Sequence, residues 1–336
     1  MASKIKDIIE IGEGWECALR TTSDAPSIHV FYQGEAVTQL PLSSVIECIP
    51  FNHHVEKERK APANHPFSIA QIPEPKSLKK VALSLNSVIR KTTQKANAYT
   101  VYACAESPAL VISVGGNSRY LFEDDELLNV VTTTEAAQNM ACTGASPVAF
   151  FKLPTHPNLI PQPTLGLVGL LPDKMPQTDL AFKSKGDMIY LLGRSVEDVA
   201  SSEYLYHFHH IHPSPAPWVN PQEQRRIHAI LSDAIHKNLI NSIHSITRGG
   251  IFTSLIESGL PNNLGFDITT DVEIREDVFL FGESLGRFIV STSDAKDAAF
   301  VDMMAHHKIP VTTLGHTTKG EIRVDDISFG YIGDFE

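Results

Sequence analysis

Residues 243–259 read IHSITRGGIFTSLIESG, which places two adjacent glycines between two apolar stretches. The stretch before the glycines predicts a strand, and the stretch after them predicts a helix that ends at Gly259. Two glycines at this junction predict a tight turn in which the backbone can approach a ligand closely. A strand, a glycine turn and a helix in succession are typical of an α/β domain.

The sequence on both sides of this turn continues the α/β pattern. GDMIYLLG (186–193) is a continuous apolar run bounded by glycines, and it predicts a buried strand. GRFIVSTS (286–293) predicts a second strand, and DAKDAAFVDMMAHHK (294–308) predicts a helix. We therefore expect one α/β domain over residues 181–336.

The middle of the chain mixes strands and a helix. ALVISVGG (109–116) and TLGLVGLLPD (164–173) predict buried strands. TTTEAAQNMACTGASPV (132–148) predicts a helix of small residues that can pack closely on a sheet. Gly144 is the predicted C′ residue of this helix, and Pro147 prevents its continuation. We expect a second, shorter α/β domain over residues 59–180.

The N-terminal region has a different pattern. SIHVFYQG (27–34) alternates along the chain and predicts a strand in a small β-rich unit, residues 1–58. Residues 53–80 are rich in proline and charge with little periodicity, so they predict an extended linker with a boundary near residue 60.

The composition of the 336-residue chain is that of a globular protein, with 42% hydrophobic and 20% charged residues. The formal charge of -11 opposes nonspecific binding to nucleic acid and to anionic membranes. No apolar run reaches the ~18 residues of a membrane span, and the N-terminus lacks a signal-peptide core. We therefore expect a cytoplasmic protein with reduced cysteines. These are far apart, without a C-x-x-C motif: Cys17, Cys48, Cys104 and Cys142.

The glycine turn is also a candidate anion site. Backbone N–H groups at the start of a helix hold anions, and Gly249 and Gly250 let a ligand approach them. Arg248 adds a guanidinium beside Thr247, and His244 lies one strand step away. Together they could hold sulfate or a sugar phosphate. The alternatives are a plain tight turn with a surface arginine, or pairing of Arg248 with an acidic neighbour such as Glu283.

Residues 282–286 form a G-x-S-x-G motif, which contains Glu283 and Ser284. A nucleophile elbow of this type needs a strand before the serine and a helix directly after it. Here a strand-like segment follows, so the required order is reversed. A structural turn or a polar ligand contact is the favoured interpretation, and a serine hydrolase at Ser284 is the weakest alternative.

Two clusters resemble metal sites in composition only. The first is a histidine-rich segment, YHFHHIHP, with His207, His209, His210 and His212. No nearby cysteine or paired carboxylate completes a metal shell there, and a solvated or hydrogen-bonded loop is favoured. The second is the acidic run at residues 123–126, which predicts a solvated face. We predict no metal site.

Several motifs in a fixed order resemble the second half of the phosphoribosylformylglycinamidine synthase family, the ATP-dependent amidating enzymes of purine biosynthesis. They include EAAQNMACTGASPVAF, TLGLVGLL, GDMIYLLG, SSEYL, IHSITRGG, FGESLGRFIV and TLGHTTKGEIRVDD. The resemblance covers nearly the whole chain. It implies the PurM-like fold of aminoimidazole ribonucleotide synthetase: an N-terminal α/β domain that pairs through a shared β-barrel, and a C-terminal α/β domain with a four-stranded antiparallel core.

The sequence departs from the family where the family binds nucleotide and metal. The family's catalytic histidines and main Mg²⁺ carboxylates lie in its first half, of which this sequence contains only the tail. The family's H-D-x-S-D-G-G turn here carries Ser245 and Arg248 in place of both aspartates. Gly115 stands where the family has an acidic residue, and the interval FKLPTHPNLIPQP lacks its nucleotide motifs. Of the family's E-S-Q substrate motif, only Glu283 and Ser284 match.

These departures imply a shortened, non-catalytic relative of the synthase that self-associates as a homodimer and binds a phosphorylated ligand. We assign no catalytic residue. The alternative is an active ATP-dependent amidating enzyme, or one component of it, which would use ATP and Mg²⁺ and other purine-pathway subunits. Product formation or ATP hydrolysis separates the two.

Overall fold

The computed structural model describes residues 5–10, 15–20, 27–41, 68–92, 99–102, 109–116, 125–153, 164–171, 178–211 and 215–336. Within these residues the strands form three sheets, two of four strands and one of seven. The mixed α/β architecture predicted from the sequence is confirmed.

The first sheet is an antiparallel meander in chain order, which ends near residue 41. Its strands are β1 (Ile5–Glu10), β2 (Trp15–Arg20), β3 (Ser27–Tyr32) and β4 (Glu35–Pro41). Gln33 and Gly34 join β3 to β4 with φ values of 50° and 81°, the left-handed backbone that a tight hairpin requires. The predicted strand at residues 27–34 is confirmed, with its last two residues forming the turn.

The predicted linker at residues 53–80 is only partly described, and its described end is not a linker. Ile72 is buried, and helix α1 (Leu78–Thr92) begins inside the segment. Val81 and Leu85 of α1 belong to the main hydrophobic cluster of the seven-stranded sheet. The sequence pattern did not predict this helix, because its apolar positions begin only after the prolines and charged residues. Residues 53–67 lie outside the described part of the chain.

The second sheet contains four antiparallel strands in the order β5-β6-β8-β7. These are β5 (Tyr99–Tyr102), β6 (Ala109–Gly115), β7 (Ser146–Leu153) and β8 (Thr164–Leu171). The strands predicted at 109–116 and 164–173 are β6 and β8. Residues 172 and 173 lie outside the described range.

Helix α2 (Asp125–Ala141) packs on β6 and β8, but it differs from the helix predicted at 132–148. It begins earlier and it ends at Ala141. Gly144, with a φ of 76°, then turns the chain, and β7 begins at Ser146. The helix thus ends close to the left-handed glycine that the sequence predicts as its stop, and the difference lies in its earlier start.

Gly115 lets α2 approach the end of β6. A Cβ at Gly115 would lie 2.2 Å from the carbonyl oxygen of Thr132 and 2.6 Å from the nitrogen of Ala136. The Ser113 hydroxyl donates to the carbonyl of Ala136 at 2.8 Å, which fixes the helix against the strand. An acidic side chain at residue 115 would not fit beneath this helix.

The third sheet has seven strands in the order β10-β12-β9-β13-β11-β14-β15, all antiparallel except the pair β11–β14. They are β9 (Met188–Leu192), β10 (Ser242–Ser245), β11 (Gly265–Ile268), β12 (Phe288–Thr292), β13 (Val311–Thr318), β14 (Glu321–Val324) and β15 (Ile327–Tyr331). The strands predicted at 186–193 and 286–293 are β9 and β12. The sheet is larger than the four-stranded core that the resemblance implied.

Helices cover both faces of this sheet. They are α3 (Pro221–His236), α4 (Gly250–Gly259), α5 (Glu276–Phe281) and α6 (Asp294–His306). Along β9, Ile189 and Leu191 join the cluster that includes α1, α4 and α5, while Tyr190 and Leu192 join the cluster that includes α3 and α6. Continuous apolar strands are expected where both faces of a sheet are covered.

Candidate functional site

The glycine turn connects β10 to α4 at the edge of the seven-stranded sheet. Gly249 and Gly250 have φ values of 77° and 71°, which other residues rarely adopt. A Cβ at Gly250 would lie 2.6 Å from the carbonyl oxygen of Leu280, so the turn packs directly on the end of α5. The predicted tight turn is confirmed, but the predicted close approach was to a ligand. The close neighbour is the protein itself.

Arg248 is buried in this turn, with 8% of its surface exposed. Its Nε and Nη2 donate to Oε1 of Glu203 at 2.8 and 2.5 Å. The expectation of a surface arginine is therefore wrong, because a fully buried carboxylate draws the guanidinium inward. His207 Nε2 lies 3.1 Å from Oε2 of the same carboxylate, so Glu203 has partners on both oxygens.

Glu283 occupies the start of α4. Its Oε1 accepts the N–H of Gly249 at 2.7 Å and the N–H of Glu203 at 2.7 Å. A carboxylate is a natural ligand for a helix N-terminus, where N–H groups lack partners. The anion position predicted from the sequence therefore holds one of the chain's own carboxylates. Of the predicted site residues, Arg248, Gly249 and Glu283 do come together.

His244 points to a different partner. Its Nε2 lies 3.0 Å from Oε2 of Glu257 on α4, and its Nδ1 donates to the carbonyl of Ser245 at 2.7 Å. A histidine engaged with a carboxylate is poorly placed to receive a second anion. Thr247 contributes its backbone to the turn, because its carbonyl accepts the N–H of Gly250 at 3.2 Å.

Ser284 lies between α5 and β12, the reverse of a nucleophile elbow. The serine is 1% exposed, and its Oγ has no hydrogen-bond partner among the described residues. A serine nucleophile needs a base within hydrogen-bonding reach. The geometry therefore does not support the serine hydrolase alternative.

Arg287, next to this motif, is a fully buried structural cation. It donates from Nε to the carbonyl of Ser284 and from Nη2 to the carbonyl of Gly282, at 3.2 and 2.7 Å. Burial lowers the pKa of its guanidinium to about 10, against the attraction of Asp198 and Glu283. Arg287 thus shapes the G-x-S-x-G segment by binding its carbonyl groups.

Two polar residues of α2 join this helix to the candidate motifs, and sequence reasoning did not single them out. Gln138 donates to the carbonyl of Ile246 at 3.1 Å and accepts the N–H of Gly286 at 2.9 Å. Asn139 donates to the carbonyl of Val114 at 3.0 Å and accepts from the Ser245 hydroxyl at 2.6 Å. The sequence offered one signal for them: Gln138 and Asn139 are adjacent amides in a segment made mostly of small residues.

Glu135 lies one turn earlier on α2 and shares this face. Its Oε2 accepts the N–H of Gly116 at 2.8 Å, and Arg248 attracts its charge. Complete burial raises the pKa of Glu135 to about 7, although the Gly116 hydrogen bond and Arg248 oppose the shift. An acidic group thus reaches the end of β6 from the helix, beside the position where Gly115 replaces the family's acid.

The two clusters that resembled metal sites in composition are only partly described. Among the residues that the structure describes, no group of three His, Cys, Asp or Glu side chains is arranged to hold a metal ion. The segment predicted as a histidine-rich loop is instead a π-helical turn, Tyr204–Phe208, in which His207 pairs with Glu203. The turn forms because Tyr204 and Leu205 bury their side chains in the core. His212 and residues 123 and 124 lie outside the described ranges.

The sequence is similar to known proteins over most of its length. Residues 184–327 match the family model "AIR synthase related protein, C-terminal domain". The PurL subunit of phosphoribosylformylglycinamidine synthase from Moorella thermoacetica is 24% identical over 88% of this chain and 49% of its own length. The Carboxydothermus hydrogenoformans PurL subunit is 26% identical over 95% of this chain and 52% of its own length. The chain is therefore similar to PurL subunits of phosphoribosylformylglycinamidine synthase over most of its own length.

Solved structures agree on the fold. Thermotoga maritima PurL complexed with FGAR superposes with a TM-score of 0.63 at 13% identity, covering 78% of this chain and 54% of that one. The same protein complexed with ATP gives a TM-score of 0.50 at 11% identity, covering 70% and 45%. The chain spans about half the length of the curated relatives it matches. The PurM-like fold inferred from the sequence motifs is therefore confirmed.

No helix in the described part of the chain has the length and apolar character to span a bilayer. Cys142 is a buried free thiol, and burial raises its pKa to about 12. A thiol held in this form is unreactive at neutral pH. Cys142 therefore behaves as the small core residue that the sequence predicts.

Proposed function

We propose that this chain is a non-catalytic, phosphoribosylformylglycinamidine synthase-like component of purine biosynthesis. The buried pair of Arg248 and Glu203 carries the proposal. Phosphoryl transfer needs acidic groups that place Mg²⁺ on the phosphates. In this glycine turn a cation stands in place of such an acid, and its charge is neutralised inside the protein. The residues are arranged to hold the turn together.

A product assay tests this proposal. The purified chain is incubated with Mg²⁺-ATP, formylglycinamide ribonucleotide and ammonium, and ADP and amidine product are measured. Thermotoga maritima PurL, whose structure with ATP is known, is the parallel positive control. We expect product at the level of the enzyme-free blank. Turnover by the chain alone would reject the proposal.

The second candidate is one component of a composite, active synthase, and Glu135 favours it. A buried carboxyl whose pKa lies at about 7 is suited to proton transfer near neutral pH. In this case ATP and Mg²⁺ are the cofactors, and purine-pathway subunits supply the missing residues. Activity that appears only with those subunits, and that Glu135→Gln removes, would support this candidate over the first.

A phosphorylated ligand at the glycine turn remains part of the proposal. Such a ligand must displace Glu283 from the N–H of Gly249, or Glu203 from Arg248, because both donors are already occupied. Glu283→Gln removes the competing charge, and Asp302→Asn on α6 is a matched control. Thermal shift with inorganic phosphate should show stronger stabilisation of Glu283→Gln than of the control. Flat responses from both variants would reject the ligand site.

The oligomer is the last part of the proposal. In the second sheet, β5 and β7 are edge strands within the described residues, and unpaired edges favour association with another sheet. We propose a cytoplasmic homodimer through this N-terminal domain. Light scattering should give about twice 36.9 kDa at micromolar concentration. A mass equal to one chain would contradict the homodimer.

A further inference from the structure

A cleft of about 810 Å³ lies away from the glycine turn and none of the functions above uses it. Its walls are formed by residues 68–70, by residues 196–200 and by the segment from Pro215 to Trp218, and Arg275 completes the lining. Its volume falls within the range of small-molecule and peptide sites.

The two main walls are held together by hydrogen bonds. Asp198 accepts the N–H of Trp218 on Oδ2 at 2.7 Å and the N–H of Ala200 on Oδ1 at 2.8 Å. The hydroxyl of Ser201 donates to the carbonyl of Pro215 at 2.7 Å. The cleft is therefore preformed, and a ligand would not have to order these walls.

The charge available in the cleft is negative. Arg275 uses its Nε and Nη2 on both oxygens of Asp277, and its Nη1 donates to the carbonyl of Ile72 at 2.9 Å. The Asp277 carboxylate therefore neutralises the charge of this guanidinium. Glu197 is exposed at the wall, whereas Asp198 accepts backbone N–H groups on both carboxylate oxygens and attracts the buried Arg287. Glu197 is thus the exposed carboxylate of a lining whose cation, Arg275, is already neutralised.

Trp218 adds an aromatic surface. Its backbone is fixed on both sides, since its carbonyl also accepts the N–H of Leu285 at 3.2 Å, while 39% of the residue remains exposed. A cation near an exposed indole face is attracted by the ring. Ile69, Val196 and Ala216 provide apolar contacts for the stem that carries the cation.

We propose that this cleft binds a guanidinium or ammonium group on an aliphatic stem, presented by a basic side chain of a partner protein. The indole and the Glu197 carboxylate recognise the charged head, and the apolar wall contacts the stem. The volume exceeds what one charged head fills, so the chain on both sides of the basic residue also fits. This inference is independent of whether the chain catalyses a reaction.

Fluorescence of Trp218 provides the test. The chain has two tryptophans, Trp15 and Trp218, so the variant Trp15→Phe leaves Trp218 as the single indole emitter. The probe is a blocked Gly-Arg-Gly tripeptide, and its neutral isostere with citrulline in place of arginine is the control. Agmatine, a free guanidinium compound, forms a third arm that distinguishes a small cation from a peptide side chain.

We expect saturable quenching by the arginine tripeptide, with a weaker response to agmatine and none to the citrulline peptide. Glu197→Gln should weaken binding about threefold, whereas Asp302→Asn on α6 should leave it unchanged. Equal binding of the citrulline peptide, or no effect of Glu197→Gln, would overturn the proposal. Agmatine that binds as tightly as the tripeptide would overturn the assignment to a partner side chain.

Discussion

The glycine turn and the surface cleft use charge in opposite ways. In the turn, Arg248 pairs with Glu203, and Glu283 accepts two backbone N–H groups, so the described charges are satisfied internally. In the cleft, the exposed Glu197 faces solvent beside an indole. The segment from residue 196 to 203 contributes to both. We therefore infer that a ligand at the turn must displace an internal partner, whereas a ligand at the cleft meets an exposed carboxylate and indole.

The largest effect is expected from Arg248→Ala. Removing the guanidinium leaves the fully buried Glu203 without its main partner, which costs about 3–5 kcal/mol in the free energy of unfolding. Chemical denaturation measures the loss. The double variant Arg248→Met with Glu203→Gln should lose less, because it removes both charges. A loss below about 1 kcal/mol in the single variant would contradict the structural role of the pair.

A smaller effect, which depends on pH, is expected from Glu135→Gln. Because folding raises the pKa of Glu135 from 4.5 to about 7, the folded state holds a proton that the unfolded state releases. This contribution is present below pH 4.5, declines as pH rises to about 7, and is absent above that. Glu135→Gln should flatten this decline and be relatively more stable at pH 8 than at pH 5. Parallel pH profiles of the two proteins would contradict the assignment.

Gly115→Ala tests the packing of α2 on the end of β6. The new Cβ would meet the carbonyl oxygen of Thr132 at 2.2 Å, so the helix must shift at a cost of about 1–3 kcal/mol. Gly333→Ala is the matched control, because no atom lies within 4 Å of its Cβ position. Thermal unfolding of both variants measures the difference. Equal stability would show that α2 is free to move away from the strand.

The smallest effect on folding is expected at the cleft. Glu197→Gln replaces an exposed carboxylate by an amide of the same shape, so the free energy of unfolding should stay within about 0.5 kcal/mol of wild type. Together with a large loss for Arg248→Ala, this result would support a structural role for the turn and a free surface at the cleft. A large destabilisation by Glu197→Gln would show that Glu197 also has a structural role.

Local patterns predicted the elements of the fold well. The strands β9 and β12 are continuous apolar runs, and Gly249 and Gly250 predict the turn between β10 and α4. Contacts across long separations were not predictable from such patterns. Arg248 and Glu203 are 45 residues apart, and Gln138 and Gly286 are 148 apart. The acidic residue that pairs with Arg248 is set by the tertiary structure. The sequence alone therefore predicted the exposure of Arg248 wrongly.

Calorimetric titration of the chain with Mg²⁺-ATP tests the proposed non-catalytic role most directly, because we expect a chain without the residues for phosphoryl transfer not to bind the nucleotide tightly. We expect no saturable heat at micromolar concentrations, since Glu203 neutralises the cation at the glycine turn and the described residues contain no metal cluster. Micromolar binding that depends on Mg²⁺ would contradict the account and favour the composite enzyme.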